Sequence, residues 1–262
     1  MPDNFGERLL AQCHLCDHWL DAAERGAEAF ADMEIWMCGL GSDPEEDFVN
    51  ACAALMSEDE RARAARFRSR RNRNLFIWQR AIRRVVLSRR IGTPAGCLQF
   101  AENPNGKPFL MEKGAPSPWR FSVSHKDDIL LIAMSDRREA GVDIESVKEG
   151  METNMLMRAG CNATERAALM QLPRSQRARA FLQIWTRKEA CIKALGAGAD
   201  AMSGLPDLHG ATGDGQDCRR AIWHMGRELC VFDIDVGPRF AASLACGAAR
   251  VTARSGCRCP GR

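Results

Sequence analysis

The sequence has no apolar run approaching the roughly 20 residues that a membrane-spanning helix requires. Its first residues mix acidic and basic side chains and lack the pattern of a secretory signal peptide. The net charge is only +3, which is too small to indicate nucleic-acid binding by itself. The G-x-S-x-G elbow that presents the serine of many hydrolases is also missing. We therefore expect a cytoplasmic protein that is neither inserted in a membrane nor a hydrolase of that class.

The composition is that of an ordinary folded protein. Its 262 residues are 45% apolar and 27% charged, enough for one large domain or two medium ones. The 12 cysteines are scattered, and those within apolar runs are expected to be buried thiols rather than disulfides. Two clusters, Cys13 with Cys16 and Cys257 with Cys259, have part of the spacing of a zinc site. Because such a site needs two close pairs, we interpret them as a terminal arm and a tail.

Local signals predict two helix-rich stretches, each followed by strands. Ser57 and Glu60 have the spacing of a capping box, which predicts that an arginine-dense helix begins there and ends before Gly92. A second long helix is predicted from Ser175 to Leu195, closed by Gly196. The short strand candidates are 109–111, 121–124, 129–134, 141–145, 219–225, 229–236 and 240–246.

Strands that cluster after helices in each half predict an α+β fold with two similar subdomains. We place an N-terminal extension, which we expect to be flexible, at residues 1–33 and an N-terminal subdomain at 34–140. A C-terminal subdomain follows at 141–249, and a disordered basic tail at 250–262.

The first candidate site is the acidic pair in Val142-Asp143-Ile144-Glu145. Residues two apart on a strand point to the same face, so the carboxylates of Asp143 and Glu145 should lie side by side. A hard cation such as Mg²⁺ relieves their repulsion through oxygen ligands. On spacing alone, a solvated acidic face on an edge strand explains the pair as well.

The second candidate lies on the helix predicted from Ser175 to Leu195. Glu189 and Lys193 are neighbours at i and i+4, which suits either a routine helical ion pair or a metal ligand beside a phosphate-binding lysine. Lys188 falls within the apolar face, where an ammonium needs a partner because an unpaired buried charge is costly.

Three further groups could bind anions. Ser124 and His125 end a predicted strand, and Gly106-Lys107-Pro108 follows a turn. The arginine run supplies planar guanidinium groups that suit phosphate, an acidic protein or nucleic acid. Its members are Arg66, Arg68, Arg70, Arg71, Arg73 and Arg80.

The order of these groups resembles a known family. The segments FSVSH at 121–125, GVDIE at 141–145 and WTRKEACIK at 185–193 resemble the signature of the Sfp-type 4′-phosphopantetheinyl transferases. The segment NGKP at 105–108 resembles the G-K-P element of that family. The resemblance covers about residues 34 to 248 and implies two similar α+β halves, a pseudo-dimer within one monomer, with the active site at their interface.

The resemblance also implies roles for single residues. Asp143, Glu145 and Glu189 would bind Mg²⁺, and Glu189 or a water on the metal would take the proton of the attacking serine. The residues implied to bind coenzyme A, the co-substrate, are Arg73, Arg80, Gly106, Lys107, Pro108, Ser124, His125, Asp143 and Lys193. Among them Lys193 also counts as catalytic, since it would neutralise the pyrophosphate, and Arg71 could replace Arg73.

By this interpretation the protein transfers the phosphopantetheine arm of coenzyme A to a serine of an acyl or peptidyl carrier protein and releases 3′,5′-ADP. It would bind no nucleic acid and no membrane. Two departures stand out, because Ser122 replaces a common Asn and Cys191 a frequent aromatic in a chain that has no tyrosine. The alternatives are a metal-dependent nuclease, in which the later Glu–Lys pair normally lies on a strand, and a non-catalytic nucleic-acid-binding protein.

Overall fold

The structure is a computed structural model that describes residues 5–6, 9, 13–15, 33–39, 44–148, 150–210 and 220–247. Its helices are α1 Glu46–Ala54, α2 Glu58–Ala65, α3 Arg70–Ile91, α4 Asn154–Gly160, α5 Ala163–Gln171 and α6 Arg174–Leu195. Its strands are β1 Cys13–Leu15, β2 Glu34–Gly39, β3 Gln99–Glu102, β4 Pro108–Glu112, β5 Ala115–Pro116, β6 Arg120–Lys126, β7 Ile129–Ser135, β8 Ala140–Ser146, β9 Arg220–His224, β10 Arg227–Asp233 and β11 Phe240–Gly247. This mixture of helix and antiparallel sheet confirms the α+β class. Among these described helices, none is long and apolar enough to cross a membrane.

The first half is built on a sheet in the order β1-β2-β7-β6, against which α3 packs. The capping box at Ser57 is confirmed, but the arginine-dense stretch forms two helices rather than one. The break lies at Ser69, whose side-chain oxygen accepts a hydrogen bond from the Asn72 amide and so begins α3. Strands β3, β4 and β5 form a separate small sheet beside this half.

The second half is built on a sheet in the order β8-β11-β10-β9, with α6 across it. The prediction for α6 is confirmed, including Gly196, which adopts a left-handed φ of 65° at its end. Gly141 allows β8 and α6 to touch, because a Cβ there would lie 2.0 Å from the carbonyl oxygen of Ala190. The strand that carries the acidic pair is thus pressed against the helix that carries Glu189 and Lys193.

The ends of the chain are described only in part. Strand β1 pairs antiparallel with β2, and Leu9 is buried in the core of the first half, so these residues of the N-terminal extension are attached to the fold. The predicted tail at 250–262, with Cys257 and Cys259, lies outside the described residues, as does Cys16. Cys52, Cys191 and Cys246 are buried, as their apolar surroundings predicted.

Candidate active site

Edge strands of the two sheets, β6 and β8, lie next to each other and are joined through serine hydroxyls. The amide of Val142 donates to Ser122 Oγ at 3.1 Å, and the amide of Ile144 donates to Ser124 Oγ at 3.4 Å. The hydroxyl of Ser124 donates in turn to Asp143 Oδ1 at 2.8 Å. Ser122, which stands where the family often has Asn, therefore still forms a hydrogen bond to the neighbouring strand. This pairing brings the predicted Ser124 and Asp143 together.

Helix α6 adds a positive charge to the same point. Lys193 Nζ lies 2.6 Å from Asp143 Oδ1, 3.1 Å from Ser124 Oγ and 3.2 Å from the carbonyl oxygen of Val142. Asp143 is buried, and this ammonium is the ionic partner that a buried carboxylate requires. Three residues from three different elements, β6, β8 and α6, thus meet at one carboxylate oxygen.

Glu145 and Glu189 complete an acidic group around Asp143. Val142 and Ile144 point into the core, so Asp143 and Glu145 share the opposite face of β8, as predicted. Burial raises the pKa of Glu189, and the charges of Asp143 and Glu145 raise it further, while Lys193 lowers it. The carboxylate of Glu189 therefore lies close enough to Asp143 and Glu145 to be repelled by both.

The described residues include no group of three or more His, Cys, Asp or Glu side chains arranged to hold a metal ion as they stand. Ammonium groups occupy part of the acidic oxygens instead, since Lys126 Nζ lies 2.5 Å from Glu145 Oε2 and Lys193 binds Asp143. Asp143 Oδ2 is nevertheless buried without a hydrogen-bond partner. An unpartnered carboxylate oxygen beside two mutually repelling carboxylates has the donor chemistry that suits a hard cation.

His125 and Arg80 lie beside this group. The pKa of His125 is lowered by partial burial and by the positive charges of Lys193 and Arg80. The guanidinium of Arg80 stacks on the ring of Phe76 at 4.8 Å. Lys193, Arg80 and Lys126 thus surround the imidazole with positive charge that Glu145 offsets only in part, so a negatively charged ligand would be favoured beside it.

The remaining predicted anion-binding residues lie further apart. Arg73 lines a groove of about 310 Å³ between α1, α2 and α3, together with Glu46 and Arg70, and its Nε is buried without a partner. The structure does not bring Arg73 to Ser124 and His125. Gly106 has a φ of 81° in the turn before β4, so its backbone angle is one that glycine adopts readily.

Lys107 and Pro108 line a second pocket of about 310 Å³, beside Arg120 and Glu139. The ammonium of Lys107 is not free in that pocket. It lies 3.0 Å from Glu139 Oε2 and within 3.3 Å of two backbone carbonyl oxygens.

Two features of the site region escaped the sequence analysis. Lys126, which pairs with Glu145, follows His125 on β6 and carried no distinguishing signal. The partner that buried Lys188 requires is Glu165, at 2.6 Å, which lies 23 residues away on α5. Glu165 also forms a capping box with Asn162, so its position could have been found from the N-x-x-E spacing.

Comparison with known proteins assigns both halves of the chain to one group. Residues 139–242 match the family model of the 4′-phosphopantetheinyl transferase superfamily. Residues 42–137 match the family model described as 4′-phosphopantetheinyl transferase, N-terminal. The two matches meet between Arg137 and Glu139, just before β8 begins.

Individual relatives agree with these matches. The 4′-phosphopantetheinyl transferase HetI of a Nostoc species is 32% identical over 167 residues, which cover 64% of this chain and 70% of HetI. The protein slr0495 of a Synechocystis species is 32% identical over 165 residues, which cover 63% of this chain and 65% of that protein. The 4′-phosphopantetheinyl transferase AcpT of Salmonella typhimurium is 34% identical over 116 residues, which cover 44% of this chain and 57% of AcpT. The chain belongs to the 4′-phosphopantetheinyl transferase superfamily.

Proposed function

We propose that this protein transfers the 4′-phosphopantetheine group of coenzyme A to a serine of an apo acyl or peptidyl carrier protein and releases 3′,5′-ADP. The observation that carries the proposal is the meeting of Ser124, Asp143 and Lys193, with His125 and Glu189 beside them. A carboxylate group flanked by cations suits a ligand that brings both a metal ion and phosphates.

The metal we propose is Mg²⁺, held by oxygens of Asp143, Glu145 and Glu189. When bound, it would supply positive charge to the pyrophosphate as the leaving group departs. The unpartnered Asp143 Oδ2 supports this assignment. Without the metal, Lys126 neutralises Glu145 and Lys193 neutralises Asp143, each through an ion pair.

The proposed reaction needs three tasks from the chain. The carrier serine oxygen attacks the β-phosphorus of coenzyme A, and the bond from that phosphorus to the bridging oxygen breaks, so that 3′,5′-ADP leaves. Glu189 accepts the serine proton, a task that suits a carboxylate whose pKa is raised by burial. Lys193 and His125 hold the phosphate oxygens, and Lys193 also stabilises the charge that develops on the leaving group.

Both halves of the chain contribute to this proposed site. We propose that they form a pseudo-dimer within a monomer, with coenzyme A bound where β6 meets β8. Exposed arginines of α2 and α3 would attract an acidic carrier protein by long-range electrostatics. Phe67, which is 38% exposed among these arginines, would give such a partner an apolar contact.

The test is to incubate the purified protein with coenzyme A, Mg²⁺ and several apo acyl and peptidyl carriers, and to measure their intact masses. We expect at least one carrier to gain one phosphopantetheine group at a single serine. A carrier whose serine is replaced by alanine should gain nothing. Failure to modify any carrier of either type would refute the proposal.

The nuclease alternative is not supported by the structure. That alternative places the later Glu–Lys pair on a strand, whereas Glu189 and Lys193 lie within the 22-residue helix α6. The nucleic-acid-binding alternative leaves the acidic group around Asp143 without a role.

A further inference from the structure

The turn between β3 and β4 forms hydrogen bonds to the C-terminal end of α6. The side-chain amides of Asn103 and Asn105 both donate to the carbonyl oxygen of Gly196, at 2.8 and 2.9 Å. Asn103 Oδ1 accepts hydrogen bonds from the backbone amides of Asn105 and Lys107, which hold the turn in shape. The first half of the chain thus supplies polar contacts to the end of a helix in the second half.

Lys107, in the same turn, also donates a hydrogen bond to the C-terminal end of α6. The last carbonyls of an α-helix have no partner within the helix. Backbone amides beyond α6 satisfy those of Ile192 and Lys193, at 3.1 and 3.3 Å. The next carbonyl, that of Ala194, accepts from Lys107 Nζ at 3.1 Å. An ammonium at this position also complements the negative end of the helix dipole.

The same ammonium reaches the start of β8. Lys107 Nζ donates to the carbonyl oxygen of Ala140 at 3.3 Å and to Glu139 Oε2 at 3.0 Å. Ala140 is the first residue of β8, three positions before Asp143, and Ala194 directly follows Lys193. One side chain therefore connects the strand that carries Asp143 to the helix that carries Lys193.

These contacts use the full donor capacity of the side chain. A lysine ammonium has three hydrogens to donate, and Lys107 has three acceptors, namely Glu139 Oε2 and the carbonyls of Ala140 and Ala194. All three acceptors belong to the start of β8 and the end of α6, and the Lys107 side chain is 17% exposed against 30% for Lys193, so a phosphate reaches it less readily. The resemblance implied that Lys107 lines the nucleotide end of the site, and its ammonium is already committed elsewhere.

We propose that Lys107 is a positioning residue that fixes the distance between β8 and α6, and that its ammonium does not bind coenzyme A. The kinetic consequences of this role rest on the proposed function, because Asp143 and Lys193 act in the proposed transfer reaction. A loose connection would separate these two residues, and small misplacements of catalytic groups cost much of the rate.

The kinetic test compares Lys107→Met with Lys113→Met, a matched change at an exposed lysine in the turn between β4 and β5. We expect Lys107→Met to lower kcat by about tenfold, to raise the Mg²⁺ concentration needed for half-maximal rate, and to leave KM for coenzyme A within a factor of about two. Lys113→Met should match the wild type. A large rise in KM for coenzyme A with an unchanged kcat would overturn the proposal, because that pattern belongs to a lysine that binds the substrate.

A second measurement does not depend on transfer activity. Hydrogen exchange of peptides covering 139–146 and 190–198 should be faster in Lys107→Met than in the wild type, in both segments together, and unchanged in Lys113→Met. Unchanged protection in Lys107→Met would refute the positioning role even if the protein proves to be an active transferase. Faster exchange in a protein that modifies no carrier would uphold the connection and refute the proposed function alone.

If Lys107→Met does not fold, Glu139→Gln serves in its place, because it removes the charge that faces the ammonium and leaves both carbonyl contacts. We then expect a smaller loss of kcat and a smaller rise in exchange at the same two segments. Exchange and kcat equal to those of the wild type would contradict the proposal.

Discussion

Lys193 Nζ and Asp143 Oδ1 lie 2.6 Å apart, and the side chain of Asp143 is only 8% exposed. The ammonium comes from α6 and the carboxylate from β8. Without this partner, a buried carboxylate would lose much of its hydration energy with little in return. The ion pair therefore stabilises the buried Asp143 carboxylate in the folded protein without a bound cation or phosphate. It also fixes the position of Lys193.

Replacing Lys193 tests its proposed role with phosphate. We expect Lys193→Met to lower kcat by about 10²–10³-fold, because it removes a fixed positive charge where negative charge develops. The rate of carrier modification, followed by intact mass, measures this, with Lys113→Met as the control. Circular dichroism should show that the variant is folded. A folded Lys193→Met with wild-type kcat would contradict the role.

Removal of metal should abolish transfer without unfolding the protein. EDTA is expected to stop carrier modification and excess Mg²⁺ to restore it, while Tm changes by less than about 4 °C, which corresponds to roughly 1 kcal/mol in a protein of this size. The small change follows because Lys126 and Lys193 already balance two of the carboxylates. In Asp143→Asn, which keeps its size and loses its charge, Mg²⁺ should not restore transfer. Full activity in EDTA would count against a metal.

Gly141 should tolerate no side chain. A Cβ at this position would lie 2.0 Å from the carbonyl oxygen of Ala190 and 2.3 Å from the amide nitrogen of Ala194. Since both are backbone atoms, β8 or α6 must shift, and we expect Gly141→Ala to lower the free energy of unfolding by about 2–3 kcal/mol. Urea denaturation measures this. Gly96→Ala is the control, because a Cβ there meets nothing within 4 Å.

The carboxylate of Glu60 should contribute strongly to the stability of the first half. It binds Arg83 at 2.5 Å and Arg84 at 2.8 Å, and both guanidinium groups are buried. Glu60→Gln removes the carboxylate that forms an ion pair with both, so we expect the free energy of unfolding to fall by about 3–5 kcal/mol. Denaturation in urea at neutral pH checks this value. A loss below about 1 kcal/mol, the range of an exposed pair, would show that the pair is not buried in solution.

The same carboxylate gives the stability a defined pH dependence. Burial alone would raise the pKa of Glu60, but Arg83, the Ser57 amide and Arg84 outweigh it and hold the pKa below the usual 4.5. A group whose pKa is lower in the folded state stabilises the protein above its unfolded value and loses that contribution as pH falls through the folded value. The difference in unfolding free energy between wild type and Glu60→Gln should thus be full above pH 4.5 and shrink at lower pH. A difference that grows on acidification would contradict the sign.

Much of the site could be predicted from the sequence because its residues follow local periodicities. The two-residue spacing of Asp143 and Glu145 predicted a shared face of β8, and the four-residue spacing of Glu189 and Lys193 predicted neighbours on a helix. Their order relative to Ser124 then identified the family. These predictions needed only strand and helix geometry together with the chain order of the motifs.

What could not be predicted depends on contacts distant in sequence. Lys107 was assigned to the nucleotide through its motif, and only the fold shows that its ammonium lies against Glu139 and Ala194. Helix α1 was missed, since Glu46–Ala54 is short and begins without a side-chain cap. The break at Ser69 was missed because the arginine-rich composition is the same on both sides of it.

The shared hydroxyl of Ser124 has a consequence for how this protein could be divided. It accepts from the Ile144 amide and from Lys193 while it donates to Asp143, so one atom serves both the junction of the halves and the chemistry. A fragment ending before β8 would keep Ser124 and lose the site carboxylates Asp143, Glu145 and Glu189. The complementary fragment would keep these carboxylates and lose the Ser124 hydroxyl. Split-protein complementation should therefore restore activity and native assembly in a single step, which makes the break near residue 138 a reporter of whether two fused partners meet.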